Sequence, residues 1–272
     1  MKKFSALSKP YAVWMFILVV IPIIFMIVLS FLEFSGLNIR SAKFTLDNFS
    51  LLNNATYIKA FLKSMEYSLI ATVICLLLGY PIAYIIHSSN VTNKYLILLI
   101  IILPMWSNML LRLKALQLIS LPEGFFKETF GIRFDFYGTG FAVILGMVLM
   151  YLPFMIFPIY TVLEKIDPSL LEASQDLGAN HFKTFLKVTL PLSLKGVTSG
   201  VIMVFLPCAM GFTVSQIMTG GKIQLIGNII ERLFKNSLNY SLGSLISLII
   251  IILVIGSLYI ISRVDEEGET LL

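Results

Sequence analysis

Few side chains in this 272-residue sequence stand where they could do covalent or metal chemistry. Cys75 and Cys208 are its two cysteines, and His87 and His181 its two histidines. Metal sites and nucleophilic centres draw on such residues at short, characteristic spacings, and these four stand far apart. Both cysteines fall in apolar runs and read as small buried hydrophobes, with no disulfide framework. The histidines read as helix-end or interface residues. The apolar runs contain no paired carboxylates, no H-E-x-x-H pair and no Ser/His/Asp set, which argues against an intramembrane enzyme. Gly220-Gly221-Lys222-Ile223 lacks the first glycine and the hydroxyl of a phosphate-cradling loop. Any ATP this protein uses would be hydrolysed on another chain.

The elements that carry these residues are set by the solvent the chain expects. Of its residues 58% are hydrophobic and 13% charged, too greasy for a soluble domain of this length. About 20 apolar residues in a helix cross a bilayer core. Six runs qualify, at about 11–32, 67–87, 95–113, 141–163, 197–217 and 242–262, with a polar link at 164–196. They do not alternate as barrel strands would. The expectation is an all-α integral membrane protein, one transmembrane domain over 1–272 with six helices. The first run is too long for a signal-peptide core and is followed by no small-residue cleavage site, so it reads as a retained span. The net charge of +5 points to lipid head groups and not to nucleic acid.

Six of the ten prolines fall inside the runs: Pro22, Pro81, Pro104, Pro153, Pro158 and Pro207. Each removes a backbone hydrogen bond, which suggests either shape-fitting in a bundle or broken, movable helices around a pathway. Glu66, Arg112 and Glu164 sit only at the edges of runs, so the buried relay of an ion-coupled carrier is missing. Charge counting leaves the orientation open. With the N-terminus inside, nine of the twenty Lys and Arg lie inside and eleven outside. The basic start, Lys2, Lys3 and Lys9, favours a cytoplasmic N-terminus.

The link around Leu170–Gly196 is patterned. Asp167-Pro168 can start a short helix as N-cap and first residue. Leu170, Ala173, Ser174 and Leu177 then share one face. Gly178 suits a helix stop, Asn180 can cap a second helix carrying Phe182, Phe185 and Leu186, and Leu190-Pro191 is expected to end it. Small residues at 173 and 174 would let a partner backbone come close.

Glu172-Ala173-Ser174, then Gly178, then Val188-Thr189-Leu190-Pro191, resembles the E-A-A-x3-G-x9-I-x-L-P loop of ABC importer permeases, the binding-protein-dependent transport system permease family. Ser174 replaces an Ala and Val188 an Ile; the spacing is intact. The resemblance implies a cytoplasmic coupling helix docked on an ATPase, with Glu172, Ala173, Ser174, Gly178, Leu190 and Pro191 in the motif. It also implies a prokaryotic plasma (inner) membrane protein with both termini cytoplasmic. Its partners would be two copies of an ATPase subunit that bind ATP and Mg, a second homologous permease subunit and an extracytoplasmic binding protein. This chain would hold no cofactor or metal of its own.

Within that family, Leu78-Gly79-Tyr80-Pro81, Pro104-Met105-Trp106-Ser107-Asn108 with Arg112, and Gly211-Phe212 with Ser215 and Gly220-Gly221 are similar to spermidine/putrescine permeases. Relatives for thiamine, iron or phosphonates share much of the framework. A channel or ion-coupled carrier is the alternative outside the family. A polyamine is a polycation, and with carboxylates scarce its passage calls on aromatic faces. Trp106, Asn108, Tyr151, Phe212 and Ser215 are the candidate pathway residues.

Overall fold

Long apolar runs become helices here, and the residues that break them set where the helices stop. The computed structural model describes residues 2–33, 42–51, 54–89, 91–131, 133, 135–269. Along the chain the helices are α1 (Lys2–Ser30), α2 (Asp47–Leu51), α3 (Ala55–Ser88), α4 (Lys94–Ile102), α5 (Met109–Ser120), α6 (Phe125–Phe130) and α7 (Gly140–Leu163). There follow α8 (Pro168–Asp176), α9 (His181–Thr184), α10 (Leu190–Met210), α11 (Thr213–Thr219), α12 (Ile226–Lys235) and α13 (Tyr240–Glu269). A two-residue ribbon, β1 (Leu32–Glu33) with β2 (Lys43–Phe44), pairs Leu32 with Phe44 and Glu33 with Lys43.

The chain groups into two compact units, one from Met1–Ala60 and Ile229–Tyr259, the other from Phe61–Asn228 and Ile260–Leu272. In the first, α1 is finished by a polar side chain. Buried Asn48 donates its Nδ2 to the carbonyls of Ser30 (3.0 Å) and Leu32 (3.1 Å), satisfying acceptors that a helix end leaves open. Phe31 stacks on Phe44 with centroids 5.9 Å apart and tilts against Phe49 at 5.3 Å. Only 11% of the window Val13–Ser30 is buried, as suits a helix with lipid around it.

The second unit is built around α7, whose span is 56% buried against 33% for α3. Helices pack in lipid where small residues let backbones approach. Gly79 of α3 and Gly200 of α10 both face Met155 of α7, and Gly146 of α7 faces Val214 and Met218 of α11. Met155, Ile159, Leu163, Tyr160, Val204, Cys208 and Met218 are buried in one core with Cys75 and Ala83 of α3.

Among the described residues four helices are long and apolar enough to cross a membrane, and a bent pair makes a fifth candidate. The last expected run falls on α13, apolar over Tyr240–Gly256. Two runs are not the straight helices expected. The third, 95–113, is broken at Leu103–Trp106, a 3₁₀ turn carrying Pro104, and α4 and α5 meet at 87°. Pro104 lacks the N–H that would continue α4, and Asn108 recaps the chain so that a new helix starts in another direction. The fifth run, 197–217, ends at Met210. Gly211 is extended there, and α11 is a separate short helix. Pro22, Pro81, Pro153, Pro158 and Pro207 all lie inside helices.

Candidate functional site

The 164–196 link leaves α7 at Glu164, whose Oε1 accepts the hydroxyls of Tyr95 (2.6 Å) and Tyr160 (3.4 Å). Asp167 then caps α8, accepting the N–H of Ser169 at 2.9 Å. That backbone bond holds its carboxyl below the usual carboxylate range. Pro168 takes the first helical position, where no donor is missed. At the far end Gly178 adopts φ +83°. Its N–H bonds the Gln175 carbonyl (2.8 Å), and that of Ala179 the Ser174 carbonyl (3.1 Å). These are the bonds that close a helix on a left-handed residue. Asn180 caps α9 through the N–H of Lys183 at 2.9 Å. The expected starts of both helices and the stop of the first are in place.

Their faces differ in one respect. Leu170, Ala173 and Leu177 are exposed along one edge, Leu177 at 89%, and Glu172 is exposed beside them. Ser174 does not join them outward. Its hydroxyl meets that of Thr184 at 2.9 Å, tying α8 to α9. Leu171, which sequence periodicity had not singled out, is the half-buried anchor of α8 on the core.

Leu190-Pro191 does not end the second helix. From His181 to Met210 the chain runs as one 30-residue apolar rod, with a π turn over Phe185–Thr189. The Leu190 N–H reaches back to the Phe185 carbonyl. A π turn spends one extra residue, and Pro191, which has no N–H to give, enters directly after it. Leu190 is half-buried on the core and Pro191 exposed, so both belong to the rod and stand apart from the exposed edge of α8. Phe185 sets its ring edge-on to Tyr84 (5.0 Å, 68°) and Tyr80 (5.9 Å, 77°) of α3. Tyr80 is buried, and its hydroxyl shares a 2.8 Å hydrogen bond with Ser193 of α10. An apolar groove of about 440 Å³ opens beside them, lined by Tyr80, Pro81, Tyr84, His181, Phe182 and Phe185.

The candidate pathway residues sit at the two helix breaks. Trp106 is 80% exposed in the turn between α4 and α5. Asn108, also exposed, uses its side chain to cap α5 through the N–H of Leu110 at 2.8 Å. Half-buried Tyr151 packs on Phe154 (6.2 Å) and brings its hydroxyl to the Gly211-Phe212 break, 3.7 Å from where a Cβ on Gly211 would lie. Ser215 is fully buried and donates its hydroxyl to the Ile223 carbonyl. So the structure joins Tyr151 to the Phe212 segment and sets Trp106 and Asn108 together at the other break. Asn228 holds the first of these breaks. Its Nδ2 donates to the Phe212 carbonyl (3.1 Å), while its Oδ1 accepts the N–H of Leu225 (3.0 Å). The buried carboxamide serves both sides at once, and nothing in a lone Asn announces it.

Residues 79–264 match the family described as binding-protein-dependent transport system inner membrane component. The chain is 35% identical over 259 residues to the spermidine/putrescine transport system permease protein PotB of Haemophilus influenzae, covering 93% of this chain and 91% of that one. It is 36% identical over 243 residues to the PotB of Escherichia coli, covering 86% and 88%. Its fold is similar to a chain in the crystal structure of a bacterial alginate ABC transporter in complex with an alginate pentasaccharide-bound periplasmic protein. There the TM-score is 0.73 and the identity 15%, over 98% of this chain and 94% of the other.

Proposed function

Because the chain belongs to the family of binding-protein-dependent transport system inner membrane components, we propose that it is one permease subunit of an ATP-driven importer of polyamines, spermidine and putrescine. The observation that carries this is likeness along nearly the whole chain to permeases named for those two solutes, covering 93% of it in one case. The chain's partners are two copies of an ATPase that binds ATP and Mg, a second permease of the same kind and an extracytoplasmic polyamine-binding protein. It lies in the plasma membrane of a prokaryote with both termini in the cytoplasm.

What this chain contributes is a coupling edge and part of a path. The exposed edge Leu170–Ala173–Leu177 on a doubly capped helix is a firm apolar strip. It suits a groove on the ATPase, and Ala173 leaves room for close approach. When the ATPases draw together, the strip moves with them, and the bundle alternates its opening between the two sides. Trp106, Tyr151 and Phe212 stand at helix breaks, where an organic cation can meet ring faces. Asn108 and Phe212 also spend backbone or side-chain polar groups on shaping those breaks.

The test is uptake of labelled spermidine into liposomes holding this chain with its partner permease and ATPase. Binding protein is added, and ATP is present or absent. Saturable uptake that needs both, and that excess putrescine reduces while thiamine does not, is the expected result. Robust ATP hydrolysis with no spermidine uptake overturns the polyamine assignment.

A further inference from the structure

We infer that Phe185, held edge-on between Tyr80 and Tyr84, is the joint through which the coupling loop moves α3, and that these three rings are positioning residues for transport. The inference rests on the importer reading above and adds the element that receives the loop's motion.

A displacement applied to α8 and α9 has two ways into the bundle. One runs along the rod from His181 to Met210. The other runs sideways into α3. The rod is soft near its start. The π turn over Phe185–Thr189 interrupts the regular ladder, and Pro191 follows it without an N–H. Beyond Ser193 the rod is fixed to α7, because Gly196 lies against the Pro158 carbonyl and Gly200 against Met155. Loop and rod can therefore part at the π turn and Pro191, before the rod is fixed to α7.

The sideways way is stiff by comparison. Phe185 sits in the edge-to-face arrangement that ring pairs favour, with Tyr84 on one side and Tyr80 on the other. Tyr80 is braced from behind by its hydrogen bond to Ser193. Its neighbour Gly79 is packed hard on Met155, so a push on Tyr80 lands where α3 meets the central helix. Pro81 follows at once in α3 and leaves a carbonyl of the preceding turn without its helical partner. That gives α3 a place to bend where the rings press on it.

The experiment uses the assembled complex in liposomes with spin labels on cysteines replacing Ser88 and Asp176, both exposed. The native Cys75 and Cys208 are buried and stay unlabelled. With Phe185 intact the two labels keep one separation with and without ATP, since loop and α3 move together. In Phe185→Ala the separation changes on ATP binding, and solute moved per ATP falls about tenfold while hydrolysis continues. Phe185→Tyr, which keeps the ring, restores both. Should Phe185→Ala fail to assemble, Tyr84→Leu, at a half-buried ring, makes the same comparison. An alanine variant with unchanged label separation, or with unchanged uptake per ATP, overturns the joint. A wild-type complex that hydrolyses ATP without taking up spermidine overturns the polyamine assignment instead. The label separation, which needs no solute, still decides the joint.

Discussion

A Cβ on Gly196 would stand 2.9 Å from the carbonyl oxygen of Pro158 and 3.0 Å from the Cα of Ile159, so α10 crosses α7 backbone against backbone. Gly200, one turn on, meets the side-chain sulfur of Met155, with the Met155 carbonyl oxygen 3.2 Å from where its Cβ would lie. Glycine in a helix costs about 0.5–1 kcal/mol against alanine. Here that cost is outweighed by contact that no larger residue permits, because the neighbouring atoms are main chain and cannot rotate aside.

Gly196→Ala therefore destabilises. The helix gains up to about 1 kcal/mol from lost glycine freedom, and the overpacked contact costs about 1–3 kcal/mol. A net loss of up to about 2 kcal/mol follows. Thermal unfolding of the assembled complex in detergent reads it as a lower midpoint, and an unchanged or raised midpoint refutes the close crossing.

Gly178 is different, because open space surrounds it and only its φ of +83° constrains it. Alanine there meets no atom yet pays about 1 kcal/mol for the left-handed backbone. Proline cannot adopt that φ at all and also loses the N–H bonded to the Gln175 carbonyl. The expected order of uptake per ATP is Gly, then Ala, then Pro, with the chain inserted in the membrane in every case. Equal uptake by Gly178→Pro would remove the stop from the mechanism.

Ala173 lies exposed on the edge of α8. A charge there changes the fold by less than about 0.5 kcal/mol, as exposed substitutions do. Ala173→Glu is expected to leave assembly of the two permeases intact and to abolish co-purification of the ATPase. Retained ATPase in the pull-down would show that the exposed apolar edge is not the docking strip.

Asp167 makes the loop acid-sensitive in a defined sense. Its folded carboxyl is held below the ordinary aspartate value by the Ser169 N–H. Its cap is fully present above that value and is lost as pH falls through the lowered one. Amide-exchange protection of the first turn of α8 should hold down to about pH 4 and fall below it. Asp167→Asn, which caps without titrating, should show no such fall.

How much of this the sequence carried depends on the range of the force involved. The ends of α8 and α9 were legible because caps and stops act within four residues: Asp167, Pro168, Gly178 and Asn180 all do what their types suggest. The family was legible for the same local reason, through Glu172-Ala173-Ser174 and its spacing to Gly178 and Leu190-Pro191. Tertiary partners were not. Tyr80 and Tyr84 hold Phe185, 101 residues after Tyr84 in the chain and beside it in space. Leu190-Pro191 looked like a stop because proline ends most helices, and a π turn let the helix absorb it. The 95–113 run looked like one span because hydropathy averages over the 87° break at Pro104.

Ser215 and Trp106 share the sequence expectation of a pathway role, and their surroundings differ. Ser215 is fully buried, with its hydroxyl committed to the Ile223 carbonyl, whereas Trp106 is 80% exposed and touches little that its loss would disturb. Ser215→Ala leaves that carbonyl short of a partner, worth about 1–3 kcal/mol of stability. It should lower the unfolding midpoint and reduce transport of every solute in proportion to the folded complex that remains. Trp106→Ala should leave the midpoint unchanged. If its ring meets the ammonium groups of the solute, it raises the KM for spermidine about threefold to tenfold, the scale of an ion–ring contact of about 1 kcal/mol. Basal ATP hydrolysis should not move in that variant. Measuring KM, hydrolysis and midpoint on both variants separates the roles: a Trp106→Ala complex with wild-type KM takes the ring off the path, and a Ser215→Ala complex with a wild-type midpoint and altered KM puts the hydroxyl on it.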